Sequence, residues 1–164
     1  MVSVWKEILE VGKRAAKEAG VDVSSVTARD VEAYMRAIGL VEESTEVRTT
    51  LQFEYLALHL LAEIEYLKRS GYRITRDLMR VISWRALNEA ELEGINAELR
   101  LAKARRDWRW IRIREKQLKE RASDASLPED LRSAYEAVAE SAAQAAEEII
   151  DSAEIRKWFA KMVK

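Results

Sequence analysis

His59 is the single histidine of the chain, and Glu63 follows it by four residues, so a helix would bring an imidazole and a carboxylate to one face. Such a pair can chelate a metal ion or relay a proton, and Gln52 and Tyr66 extend the same face. A buried histidine hydrogen-bonded to a carboxylate needs no ligand, however, and that structural role is the stronger reading. Glu54, Glu89, Glu91, Glu93 and Glu98 supply further carboxylates that a di-metal bundle could use. Bundles of that kind take a Glu-x-x-His motif from each of two helices, whereas here the one histidine is preceded at that spacing by Leu56. The chain also has no Gly-rich phosphate loop, His-Glu-x-x-His zinc motif or Gly-x-Ser-x-Gly nucleophile elbow. No enzyme, cofactor or metal centre is therefore expected. The alternative is a helical-bundle metal-binding protein or enzyme built on His59 and Glu63.

A second constellation lies at residues 100 to 121, where ten Lys or Arg face three acids and leave a local charge of +7. On one helix Arg105, Arg109, Arg112, Lys116 and Lys119 recur at spacings of four and three and share a face. Arg forks suit phosphate oxygens and their binding releases counterions, so this face is the candidate nucleic-acid contact. Trp108 and Trp110 lie about 200° apart on such a helix, so one enters the core and the other needs a different partner. Trp110 and Ile113 are accordingly the candidate interface, against nucleic acid or another subunit. The competing reading is a solvated face laced with local pairs, such as Asp107 with Arg106 or Glu115 with Lys119.

The composition bounds what these residues can serve. At 164 residues and 48% hydrophobic content, with five glycines and one proline, the chain can bury a core and is neither fibrous nor disordered. Its net charge of −1 gives no global attraction to nucleic acid or membrane, so any electrostatic function must be local. The absence of cysteine removes disulfides and thiolate chemistry together. No basic-then-apolar leader opens the sequence and no apolar run reaches the roughly 18 residues a span needs, so an intracellular location, or one within a virus particle, is expected without a membrane partner. Charged residues at 35%, with few side-chain amides, point to a thermophilic source.

Helices must position all of this. Ser3 caps a first helix that ends at Gly20, and Thr27 with Asp30 forms a capping box for a second that stops at Gly39. These two make a small N-terminal subunit, residues 1–40, within a single domain, 1–164. Residues 45 to 70 are apolar nearly all round and read as one central helix. A helical pattern then runs from about 75 to 121; it would span roughly 70 Å if straight, so it either breaks near Gly94 or elongates the molecule. Ser126-Leu-Pro-Glu129 offers a capping box for a helix to about residue 150, and Asp151 to Glu154 restart a short one whose Ile155, Trp158, Phe159 and Met162 close the core.

Together these elements predict an all-α, elongated helical bundle with a long central helix over about 75–121 and a C-terminal antiparallel helical hairpin. Residues 122 to 154 carry nine acids against one base, but most acids lie opposite the apolar row, away from the partner helix. A helix-turn-helix drawn from Thr27 to about Leu60 would open its second helix with Glu42, Glu43 and Glu46, the wrong charge for phosphates. In architecture alone, residues 75 to 150 resemble the helical coat proteins with which filamentous archaeal viruses wrap DNA. That resemblance implies a coat-type protein or nucleoprotein of a thermophilic archaeal virus. The functional expectation is a non-enzymatic structural or interaction protein, a homo-oligomer, with nucleic acid as a further partner and no small-molecule substrate.

Overall fold

Local capping chemistry sets where the first helices begin and end. Ser3 accepts a hydrogen bond from the Lys6 amide at 3.3 Å and opens α1 (Val4–Ala19), which Gly20 ends at φ 67°. Thr27 and Asp30 form the reciprocal box at the start of α2 (Ala28–Ala37), and the chain turns away at Gly39, φ 86°. The computed structural model describes residues 2–163, all-helical among those residues, with no strand.

The helix expected over 45 to 70 is two helices, α3 (Thr45–Gln52) and α4 (Glu54–Arg69), separated by the single extended residue Phe53. The side chains of Thr49 and Thr50 bond back to the carbonyls of Thr45 and Glu46 at 2.9 and 2.8 Å, a habit that bends helices. α4 is the centre of its unit: Ala57, Leu58, Leu61, Ile64 and Leu67 are fully buried. Gly12 of α1 meets it closely, since a Cβ there would stand 2.5 Å from Leu61 Cδ1 and 3.1 Å from the Ala57 carbonyl oxygen. The glycine is what lets the two helices touch.

The pattern over 75 to 121 is likewise divided, into α5 (Leu78–Val81), α6 (Trp84–Arg105) and α7 (Trp108–Ala122). The break lies at Arg106 and Asp107, while Gly94 stays helical inside α6. Arg106 takes φ 55°, its amide bonds to the Lys103 carbonyl, and the Asp107 amide bonds to that of Ala102 at 2.8 Å. This pair of bonds ends a helix, and doing it on an arginine costs about 1–2 kcal/mol of left-handed strain. Asp107 then caps α7 by accepting from the Trp110 amide at 3.2 Å.

α8 (Glu129–Met162) runs for 34 residues, so the restart expected at Asp151 does not occur. Nor does the Ser126 box form. Ser126 bonds instead to the Asp124 carboxylate through its amide and its hydroxyl, which leaves Pro128 before the first turn without a side-chain cap. α7 and α8 make the expected antiparallel hairpin: Ile111 and Leu118 are buried opposite Leu131, Tyr135, Ala139, Ala142, Ala146 and Ile149. The alanines leave α7 room to approach.

The chain divides into two compact units, one up to Leu101 and one from Ala102. The division falls inside α6, and α1 and α2 pack on α4 within the first unit.

Candidate functional site

In the first unit, α4 and α6 bring together a histidine and two carboxylates. His59 Nε2 lies 2.7 Å from Glu63, one turn on, and Nδ1 lies 2.6 Å from Glu98, which is fully buried. Tyr34 of α2 donates its hydroxyl to the other Glu63 oxygen at 2.6 Å. Burial disfavours a charged ring, but the attraction and hydrogen bonds of Glu63 and then Glu98 outweigh it and raise the His59 pKa to about 10. At neutral pH the ring is an imidazolium that donates from both nitrogens. Burial and the Glu63 carboxylate push the Tyr34 phenol up as well.

This arrangement bears directly on metal and proton chemistry. A metal ion bound at His59 would have to displace one of the ring protons that Glu63 and Glu98 hold. Among the described residues no group of three His, Asp or Glu side chains is arranged to hold a metal ion. Gln52 is cut off from the His59 helix by Phe53, and Tyr66 donates to Glu89 at 2.5 Å. A cleft of about 310 Å³ in the same unit is lined by Asp22, Glu65, Tyr66, Arg69, Glu93 and Arg100 among others, and does not include His59. Glu98 is the member of the cluster that sequence spacing misses: it stands 39 residues from its partner.

In the second unit the five-residue basic row is not continuous. Arg105 belongs to the last turn of α6, before the break, while Arg109, Arg112, Lys116 and Lys119 lie on α7. Arg112 and Lys119 turn onto Glu115 at 2.6 and 3.0 Å. Burial of Glu115 opposes ionisation, but the bonds from Lys119 and Arg112 prevail and hold its carboxyl below the ordinary value. Arg109 and Lys116 remain exposed two turns apart, with the Arg109 guanidinium 5.4 Å from the centre of the Trp108 ring. Neither tryptophan is fully buried: Trp108 is 38% exposed, and Trp110 is half-buried with Arg114 over its ring at 5.6 Å. Ile113, three residues on from Trp110, is half exposed.

An exposed apolar surface lies where the core was expected to close. Ile155, Trp158, Phe159 and Met162 are 54 to 64% exposed, and with spacings of three, one and three they form one stripe along the last turns of α8. The Trp158 and Phe159 rings meet edge to face at 5.2 Å. This stripe is turned about 160° from the row that packs on α7, by the helical pitch. Continuing that buried row from Ile149 leads to Ala153, Arg156 and Ala160, all exposed. On the stripe's own side, the preceding turns carry exposed Ser141, Gln144, Glu148 and Asp151. Beyond Asp151 the apolar side of α8 therefore changes from the one that meets α7 to the one that does not. Among the described residues no helix is long and apolar enough to cross a membrane. Comparison with protein-family models, with curated proteins and with solved structures gives no match to this chain.

Proposed function

We propose that the protein is a non-enzymatic helical interaction protein that docks through the last turns of α8. The exposed stripe of Ile155, Trp158, Phe159 and Met162 carries this reading, because the buried row of α8 and this stripe occupy different sides of the helix. A core residue left partly uncovered would continue the α7-facing row; these do not. Replacing Trp158 and Phe159 together by Glu is expected to keep the helical circular dichroism and to change stability by no more than about 0.5 kcal/mol, as at other exposed positions. Unfolding of that variant would place the stripe in the core and end the docking reading. Light scattering of the same variant reads whether docking includes self-association, which a fall in particle mass would show.

A second reading, contact with nucleic acid along α7, is favoured by Arg109 and Lys116, which are exposed and have no ion pair among the described residues. If both hold phosphates, Arg109→Gln with Lys116→Gln should reduce the slope of log affinity against log salt by about 1.8 for duplex DNA, at roughly 0.9 per contact. Arg112 and Lys119 are weaker candidates, since taking a phosphate would strip the buried Glu115 of its partners. An unchanged slope removes this reading.

A further inference from the structure

We infer that the occupant of the α8 stripe is an anionic lipid surface, on which residues 155 to 163 lie as an interfacial amphipathic helix. The inference rests on the docking reading above and adds the partner. From Ile155 to Lys164 the sequence holds four cations and no acid, in a chain whose overall charge is −1. Arg156 and Lys161 flank the stripe at about 110° on either side, by the helical pitch, and Lys157 lies nearly opposite it. Long cationic side chains at the flanks can bend their heads to the phosphates while their stems follow the apolar face. Trp158 and Phe159 at the centre are rings suited to the boundary between headgroup and acyl chain, where an amphipathic helix buries its apolar side to about 5–10 Å.

Charge argues against a second copy on the same stripe. Laid antiparallel and centred on Trp158 and Phe159, two stripes set Arg156 of one copy on the same side of the seam as Arg156 of the other, and the two Lys161 likewise on the opposite side. Laid parallel, they set Arg156 of one copy on the side of Lys161 of the other, and like charges so placed oppose association. A surface of negative headgroups meets Arg156 and Lys161 with the opposite sign. The whole chain's near-neutrality hid this, because Asp151 and Glu154 and the acids before them offset a charge that is confined to the last turns of α8.

Cosedimentation of the full chain with phosphatidylcholine vesicles, and with vesicles that also contain phosphatidylserine, tests the inference. Binding to the mixed vesicles at low salt, weakened by salt and absent for Trp158→Glu with Phe159→Glu, is expected. Arg156→Gln with Lys161→Gln keeps the stripe and should weaken binding about fivefold for each cation removed. Equal binding to neutral and mixed vesicles, or undiminished binding by the folded Glu variant, would overturn the lipid assignment. No vesicle binding, together with a particle mass that falls in the folded Glu variant, would also overturn it and leave docking to a second copy standing. A Glu variant that unfolds would instead remove the docking reading itself.

Discussion

Glu98→Ala should lower the unfolding free energy by about 3–5 kcal/mol, the cost of removing one partner from a buried ion pair. The loss is large because the variant leaves the His59 ring charged, nearly enclosed, and with nothing to receive the Nδ1 proton. Replacing His59 and Glu98 together by Leu should cost much less, since an apolar pair has no charge to desolvate and Glu63 keeps the Tyr34 hydroxyl. Urea unfolding followed by circular dichroism separates the two cases. The same cluster fixes a pH dependence. The folded-state pKa of about 10 lies above the ordinary histidine value of 6.5, so the ring's contribution is complete below about pH 6.5 and is lost as pH rises through 10. The native protein should therefore become steadily less stable from pH 7 to pH 10, and His59→Leu should lose that slope. A Glu98→Ala variant within about 1 kcal/mol of the native protein would mean that the ring gives up its proton at little cost.

The features legible in the sequence were those decided by neighbours along the chain. The Ser3 cap, the Thr27 box and the turn at Gly39 need only a few adjacent residues, and each forms. The breaks were harder because each is made by side chains with a second possible role. Thr49 and Thr50 could have packed as ordinary helical residues, and Asp107 could have paired with Arg106 instead of capping α7. Ser126 had two partners within reach and took Asp124, not the helix. His59 with Glu63 was visible at one-turn spacing, but Glu98 becomes its neighbour only when α6 packs on α4. The spacing of Ile155, Trp158, Phe159 and Met162 was equally visible. Which way it faces depends on α8 being continuous, because a restart at Asp151 would have reset the register and allowed the stripe to turn inward.

Gly94→Ala should destabilise the first unit by several kcal/mol, although the helix alone predicts the opposite sign. Alanine in the interior of a helix is favoured over glycine by about 1 kcal/mol, and Gly94 sits well inside α6. Against that gain, a Cβ at this position would lie 2.6 Å from His59 Cδ2 and Nε2 and 2.8 Å from Cε1. The ring can step aside only by breaking hydrogen bonds, because Glu63 holds Nε2 and Glu98 holds Nδ1. Overpacking costs about 1–3 kcal/mol, and if the ring is forced from its partners the broken ion pair adds about 3–5 more. The clash therefore wins over the propensity. An NMR titration distinguishes how it wins: if the ring is displaced, its pKa falls from about 10 towards the ordinary value as stability is lost. If the backbone of α6 yields instead, the pKa stays high and only the overpacking cost appears. Adding His59→Ala to Gly94→Ala removes the obstructing ring, so the double variant should be no less stable than His59→Ala alone. A Gly94→Ala variant more stable than the native protein would show that the glycine is not required for the histidine to approach α6.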